Sequence, residues 1–162
     1  MTIAIYAGSF DPITLGHASV VRRAAKLFSH LRVLIAVNPD KQALFSEAER
    51  VALARQMLGA MPNVSVDATS GLVVDYARAI GASFLVRGLR GAPDAAPETE
   101  LARVNMALAP ELQTVLIPAE PALSQVSSSA LKELARRGED LSRHCSREVL
   151  AELERRLGGS AR

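Results

Sequence analysis

The alternation of short, branched apolar segments with longer segments of helical periodicity limits most strongly how this chain can fold. Five apolar segments are predicted to be strands, at residues 2–6, 31–37, 63–67, 83–87 and 112–118. Each is apolar nearly throughout, as strands are when helices cover both faces of their sheet. The pattern predicts an α/β fold: a Rossmann-like, doubly wound parallel sheet of five strands, with helices on both faces and further helices at the C-terminus.

The segments between the strands place apolar residues at i, i+3 and i+4, which predicts helices. Helices are predicted over residues 17–29, 72–80, 127–137 and 146–157, and from the capping box that Ser46 forms with Glu49. A further helix is predicted to contain Leu101 and to end near Pro110. Because Pro97 lacks a backbone donor and disfavours helix at the residue before it, this helix is predicted to begin at Pro97 or later.

Composition excludes several classes of protein. The 162 residues are 49% apolar and contain no linker, which predicts one domain over residues 1–162. Lysine and arginine total 19 against 17 acidic residues, a net charge of +2, which argues against a nucleic-acid partner. Cys145 is the only cysteine, so no internal disulfide can form. No apolar stretch approaches the roughly 18 residues of a membrane span, and no leader is seen at the start, so we expect a cytoplasmic protein without a membrane partner.

The loops after the predicted strands are where a ligand is expected, because open parallel sheets bind ligands at the carboxyl ends of their strands. Residues 7–17 follow the first strand and contain Gly8, Ser9 and His17. Glycine allows close approach of the backbone to a ligand, and a helix start attracts phosphate. Only 4% of the residues are aromatic, so a box of rings is not expected to hold the ligand.

Each polar residue at these strand ends also has a purely structural interpretation. Gly8 could only shape a turn, with His17 as an ordinary residue at a helix start. The pair Arg87 and Arg90 could be a solvated turn, and Lys41 a surface lysine. The serines at 127–129 could cap a helix, although capping and anion binding are compatible.

Four segments, taken together and in order, favour function. Residues 9–17 read Ser-Phe-Asp-Pro-Ile-Thr-Leu-Gly-His, residues 38–51 contain Asn-Pro-Asp-Lys and Glu-Arg-Val, residues 87–90 read Arg-Gly-Leu-Arg, and residues 126–133 read Val-Ser-Ser-Ser-Ala-Leu-Lys-Glu. The first resembles the T/HxGH signature of the nucleotidyltransferase superfamily, in the form found in the phosphopantetheine adenylyltransferases of coenzyme A biosynthesis. The others resemble further motifs of that family, and the resemblance covers about residues 3–157.

The resemblance implies an enzyme that transfers the adenylyl group of ATP to 4'-phosphopantetheine, giving 3'-dephospho-coenzyme A and pyrophosphate. It implies direct in-line attack, with His17 stabilising the transition state and Lys41 and Arg90 as the other catalytic residues. Mg²⁺ would accompany the triphosphate without a dedicated protein metal site, and the chain would assemble as a homohexamer.

The resemblance also implies two sets of binding residues. ATP would be contacted by Ser9, Phe10, His17, Gly88, Leu89, Arg90, Glu98, Leu123, Ser124, Gln125, Val126, Ser127, Ser128 and Ser129. The acceptor would be contacted by Ser9, Lys41, Val73, Arg87, Leu101, Asn105 and Glu133.

Two departures from the family pattern lie on the nucleotide side of the site. Ala95, Ala96 and Pro97 stand where relatives carry an acidic and aromatic run, and Leu123 stands where many carry tryptophan. They leave two alternatives open: a related transferase for another phosphorylated acceptor or nucleotide, and a nucleotide-binding regulator without catalysis.

Overall fold

Five parallel strands form one sheet in the spatial order β3-β2-β1-β4-β5. The computed structural model describes residues 1–158. The strands are β1 (Ile3–Gly8), β2 (His30–Ala36), β3 (Val64–Thr69), β4 (Phe84–Leu89) and β5 (Gln113–Pro118). The predicted α/β fold with a doubly wound parallel sheet is confirmed. The order reverses between β1 and β4, and this switch point is where open sheets of this kind bind ligands.

Six α-helices accompany the strands within residues 1–158. They are α1 (Leu15–Ala24), α2 (Glu47–Leu58), α3 (Val73–Ala79), α4 (Ala92–Leu108), α5 (Ser128–Arg136) and α6 (Arg147–Leu157), with a short 3-10 turn at Pro121–Leu123. Within this part of the chain, no helix combines the length and apolar character that a membrane span requires.

The core lies on both faces of the sheet, as covered parallel strands require. On one face α1, α2, α5 and α6 bury residues such as Val21, Leu53 and Leu153 against the strands. On the other, α3 and the end of α4 cover Ile5 and Leu34. Burying each such side chain stabilises the fold by about 1.5–3 kcal/mol, and together they fix the strand ends that carry the polar loops.

The first helix begins earlier and ends earlier than predicted. It covers Leu15–Ala24 rather than residues 17–29, because Thr14 provides the cap that opens it. The chain leaves the helix in a turn after Ala24, with Phe28 still buried against the sheet. Apolar spacing continued past the last helical residue, so it could not mark the end.

The prediction that α4 begins at Pro97 or later is wrong. The helix begins at Ala92 and contains Pro97 in its second turn. Two ion pairs to the end of β4 hold the helix on either side of the proline, one through Asp94 and one through Glu98. Tertiary contacts therefore outweigh the local cost of the proline.

Candidate active site

His17 is oriented by a reciprocal cap at the start of α1. The backbone N–H of Thr14 donates to Nδ1 of His17 over 3.0 Å, and the Thr14 hydroxyl accepts the His17 backbone N–H over 3.3 Å. Since Nδ1 accepts a hydrogen bond from an amide, the proton of the neutral ring is assigned to Nε2. Nε2 is therefore the atom that can donate to a ligand.

The environment of His17 keeps the ring neutral. Burial, together with the nearby Arg90 and Arg87 guanidinium groups, lowers the pKa of His17 to about 4. At neutral pH the ring carries no charge, so it can offer a hydrogen bond but holds no extra proton to give away. This suits a group that stabilises a charged oxygen.

Aromatic rings hold His17 from one side. The ring of Phe10 packs edge-on against it, with centroids 4.9 Å apart, and Tyr6 packs edge-on against Phe10 at 5.3 Å. Phe10 adopts a φ of 45°, in the left-handed region that residues other than glycine rarely occupy. A Cβ at Gly8 would lie 3.2 Å from the Phe10 ring, so glycine leaves the space that the ring fills.

Arg87 is held at the end of β4 by two partners. Its guanidinium forms a two-point ion pair with Glu98, at 2.8 and 2.9 Å, and donates to the carbonyl of Ala7 over 2.8 Å. Charge-assisted bonds to Glu98 raise the pKa of Arg87, so its positive charge is permanent. The family resemblance implied that Arg87 contacts the acceptor and that Glu98 contacts ATP. In the structure the two side chains are paired with each other.

Arg90 forms a similar ion pair with Asp94, which lies one turn of α4 before Glu98. Nε and Nη2 of Arg90 contact the two carboxylate oxygens of Asp94 at 3.1 and 3.2 Å. The backbone N–H of Arg90 also donates to that carboxylate, and these bonds lower the pKa of Asp94. Sequence reasoning gave Asp94 no role, although its spacing of four residues from Arg90 is a pattern that pairs opposite charges on a helix start.

Three adjoining pockets surround these residues. The first, which we call the histidine pocket, has a volume of about 160 Å³. It is lined by Tyr6, Ala7, Gly8, Phe10, Gly16, His17, Val20, Arg87, Gly88, Leu89, Arg90, Asp94, Glu98, Ala119, Leu123 and Val126. Most of the predicted ATP contacts lie together here. Ser124 and Gln125 lie between Leu123 and Val126 in the same loop, outside this lining.

The loop that closes the histidine pocket approaches α1 very closely. A Cβ at Gly16 would lie 3.2 Å from the carbonyl oxygen of Val126 and 3.7 Å from that of Leu123. Glycine in the Thr-x-Gly-His segment therefore allows backbone from the C-terminal half to contact the first turn of α1. Glycine at position 16 is therefore favoured for a steric reason that does not depend on a ligand.

The second pocket, the cationic pocket, has a volume of about 560 Å³ and faces the start of α5. It is lined by Ser9, Phe10, Asp11, Ala36, Asn38, Lys41, Gln42, Ala43, Arg50, Arg90, Ser127, Ser128, Ser129 and Lys132. Phe10 and Arg90 line both this pocket and the histidine pocket, so the two are neighbours. Four cationic side chains and four hydroxyls face one carboxylate, a composition suited to polyanions.

The three serines at the start of α5 have different contacts. The Ser127 side chain caps the helix by accepting the N–H of Ala130. Ser128 donates to the carbonyl of Pro12 over 2.8 Å, which ties α5 to the loop after β1. Ser129 is exposed on the pocket side. Capping and pocket lining thus occur together.

Asp11 organises the cationic pocket, and sequence reasoning gave it no role. Its buried carboxylate accepts the backbone N–H groups of Leu44 and Phe45, both at 2.9 Å, and lies 3.3 Å from Nζ of Lys132. These bonds join the loops after β1 and β2 to α5. The only available signal was an aspartate before a proline, which indicates a turn but no partner.

The third pocket is small and lies on the other face of the sheet. Its volume is about 80 Å³, and it brings together Val73, Arg87, Leu101 and Asn105, four of the predicted acceptor contacts. Glu133 lies apart from them on α5, where its carboxylate pairs with Arg137 at 3.0 Å. Arg87 lines both this small pocket and the histidine pocket.

The arrangement can hold a chain of phosphates beside a neutral hydrogen-bond donor. It contains permanent cations, hydroxyls and a helix start, and Nδ1 of His17 is occupied by the backbone N–H of Thr14, so it is not free to act as a base. Catalysis of phosphoryl-type transfer by position and charge needs only these groups. The fold and the site define the chain as a nucleotidyltransferase.

Comparison with known proteins agrees with this class. The sequence profile of the Cytidylyltransferase-like family matches residues 5–134. Phosphopantetheine adenylyltransferase of Herpetosiphon aurantiacus is 49% identical over 142 residues, covering 88% of this chain and 86% of the relative. That of Levilactobacillus brevis is 42% identical and covers 98% of this chain and 99% of the relative. The chain belongs to the phosphopantetheine adenylyltransferases, within the Cytidylyltransferase-like family.

A more distant structural neighbour agrees in fold. The nicotinic acid mononucleotide adenylyltransferase of Plasmodium falciparum, solved with NaAD, superposes with a TM-score of 0.69. The match covers 95% of each chain at 14% identity, which supports the fold alone.

Proposed function

We propose that this enzyme transfers the adenylyl group of ATP to 4'-phosphopantetheine, with His17 stabilising the transition state. Family membership supports the reaction. The single structural observation that carries the mechanism is the Thr14 N–H bond to Nδ1 of His17, which leaves Nε2 as a donor in the histidine pocket.

The reaction needs no covalent intermediate on the protein. An oxygen of the acceptor phosphate attacks the α-phosphorus of ATP, the bond to the bridging oxygen breaks, and pyrophosphate leaves with the electron pair. Nε2 of His17 donates to a nonbridging oxygen of the α-phosphate, where negative charge is concentrated during attack. Lys41 and Arg90 supply positive charge, and Ser9 bridges the two substrates.

The histidine pocket and the cationic pocket suit the two ends of ATP. We assign the nucleoside to the histidine pocket, against Gly88, Leu89, Leu123 and Val126, with the phosphates extending to Ser127–Ser129. Leu123 offers an apolar surface rather than an aromatic ring to the base. Ser124, Gln125, Phe10 and Glu98 complete the proposed nucleotide contacts.

The acceptor is assigned to the part of the cationic pocket lined by Ser9 and Lys41, and to the small pocket beyond Arg87. Its phosphate would lie between Ser9 and Lys41, with Arg87 at the passage to the small pocket. Its arm would extend along Val73, Leu101 and Asn105, which line that pocket together. Arg87 is held by Glu98 and Ala7, so it presents a fixed cation rather than a mobile one. Glu133 remains a proposed contact from resemblance alone.

Mg²⁺ is proposed to enter with ATP. Within residues 1–158 no group of three or more His, Cys, Asp or Glu side chains could hold a metal ion. Asp11, the carboxylate in the cationic pocket, is already bonded to two amides and Lys132. The residues fit an ion held by phosphate oxygens and water, whose chemistry is to reduce the charge of the triphosphate.

Pyrophosphate release tests the reaction. With ATP and 4'-phosphopantetheine we expect rapid release, and with ATP alone or with pantetheine lacking the phosphate we expect almost none. Replacing ATP by CTP, and the acceptor by nicotinate mononucleotide, tests the alternative transferases. Tight ATP binding without acceptor-dependent release would identify a regulator instead.

The chain is further proposed to work in the cytoplasm as a homohexamer. Support for assembly comes from α4, which exposes Leu101, Val104 and Leu108 on one side at 39–49%. Such a row of exposed apolar side chains on one helix is typical of an interface. Support for a reducing compartment comes from the single, buried Cys145.

A further inference from the structure

Arg50 is a buried cation in the cationic pocket. It lies in the first turns of α2, after the Ser46 cap, and is only 5% exposed while lining the pocket. Arg50 belongs to the Glu-Arg-Val part of the segment that resembles the family, but the resemblance gives it no role. It shares the lining of this pocket with Ser9, Lys41 and Lys132, among the groups proposed to face the phosphates.

The guanidinium of Arg50 has unused hydrogen-bonding capacity. Within residues 1–158 its one hydrogen bond runs from Nη1 to the carbonyl oxygen of Ser9, over 3.1 Å. Nε is buried without any partner. A guanidinium has five N–H donors in a planar fork, so most of this group remains unused.

Within residues 1–158 Arg50 also lacks a counter-charge, unlike two other cations that line the cationic pocket. Lys132 is paired with Asp11, and Arg90 with Asp94. In the described part of the chain, no carboxylate lies within 4.0 Å of the Arg50 guanidinium. The adjacent Glu49 is paired with Arg156 of α6. Burying a cation without an anion costs free energy. A bound anion would neutralise the charge of Arg50 and reduce that cost.

The hydrogen bond to the Ser9 carbonyl connects Arg50 of α2 to the loop that leads to His17. Ser9 and Phe10 follow β1 directly, and Phe10 packs on the His17 ring. A phosphate chain with its α-phosphate at His17 can therefore extend past Arg90 into the cationic pocket. The end of that chain is the part that reaches Arg50.

We propose that Arg50 contacts the terminal phosphates of ATP and holds the pyrophosphate as it leaves. This inference rests on the proposed function, since it assigns the pocket to the leaving group of that reaction. When the bond at the α-phosphorus breaks, its electron pair moves to the bridging oxygen of pyrophosphate. A buried cation at that end stabilises the increased negative charge.

Calorimetric titration with inorganic pyrophosphate tests the contact without turnover. We expect Arg50→Gln to weaken pyrophosphate binding by about tenfold or more, because charged hydrogen bonds of this kind are lost. Arg50→Lys keeps the charge but not the fork and should give an intermediate loss. Arg55→Gln is the matched control, because Arg55 is exposed on the same helix and contacts the Val66 carbonyl instead.

Unchanged pyrophosphate affinity in folded Arg50→Gln, with a lowered kcat, would overturn the proposal and leave Arg50 a positioning residue for Ser9. If the Arg50 variants fail to fold, the wild-type protein with ¹⁵N-labelled arginine decides. Pyrophosphate should then shift a buried Nε–H resonance, and no shift of any arginine Nε–H would also overturn the contact. Because no acceptor is present, pyrophosphate binding through Arg50 can succeed even if the proposed acceptor proves wrong.

Discussion

His17 shows how a single residue acquires a chemical role from its backbone surroundings. The N–H of Thr14 fixes the tautomer, and burial beside two guanidinium groups fixes the neutral state. The same residue at an ordinary helix start would be solvated and would titrate near its usual pKa. The sequence could indicate His17 as a donor, but the atom that donates follows only from the cap.

Replacing His17 by alanine should lower kcat by about 100- to 1000-fold, the effect of removing one donor to transition-state charge. The KM for ATP should change much less, because the bond strengthens mainly in the transition state. Since the pKa of His17 is about 4, the ring is neutral from pH 6 to 8. The ratio of wild-type to variant kcat should therefore be constant over that range. Steady-state kinetics at several pH values check this, and a ratio that changes near pH 6.5 would show that a protonated ring is used.

The limits of sequence reasoning at this scale follow from what fixes each side chain. Residues in motifs, such as His17 and Lys41, could be placed at strand ends from local order. The partner of Arg87 could not, because Glu98 reaches it only when α4 packs beside β4, whereas Arg90 and Asp94 are four residues apart and their pairing is local. The burial of Arg50 could not be predicted either, since its contact is with the Ser9 carbonyl, 41 residues earlier in the chain.

Helix α4 shows the balance between local preference and tertiary contact at the scale of an element. Its two prolines occupy different environments. Pro93 lies in the first turn, where backbone N–H groups have no helical partner, whereas Pro97 leaves the carbonyl of Pro93 without its donor. The predicted start at Pro97 was wrong because the ion pairs that hold the first turns are invisible to a local rule.

Pro97→Ala should therefore stabilise the protein, by about 1–2 kcal/mol after allowing for the greater freedom of the unfolded chain. Pro93→Ala is the matched control, and it should be neutral or slightly destabilising because no helical bond is restored. Chemical denaturation measures both. Equal effects of the two substitutions would mean that the second turn of α4 is not helical around Pro97.

Most other elements could be predicted because their signals are local. The Ser46 and Glu49 capping box opens α2, and Ser127 and Ser146 cap α5 and α6. Gly138 follows α5 with a φ of 70°, which favours glycine. The predicted strand ends differ from the observed ends by up to two residues. An apolar pattern does not show where a strand stops pairing with its neighbour.

At the scale of the whole molecule, the sheet order explains why segments far apart in sequence form one site. The loops after β1 and β4 meet where the strand order reverses. The start of α5 packs beside them and lines the cationic pocket. Asp11 and Ser128 join these parts through bonds to Leu44, Lys132 and Pro12. Positioning of the phosphates thus depends on the completed fold rather than on any one motif.

Assembly should depend on the exposed apolar side of α4. Leu101, Val104 and Leu108 lie three and four residues apart, which places them along one side of the helix. In the proposed assembly a charge there would be buried in an interface, at a cost well above that of a surface change. We therefore expect Val104→Asp to reduce the assembly to smaller species, as measured by sedimentation equilibrium.

Leu27→Asp is the matched control for that experiment. Leu27 is also apolar and 63% exposed, but it lies in the turn after α1 rather than on α4. Its substitution should leave the sedimenting mass unchanged. Because Leu101 also lines the small pocket, Val104 is the better site for the charge: it can separate subunits without entering the proposed acceptor contacts. If Val104→Asp and wild type sediment alike as large assemblies, the subunits meet through another surface.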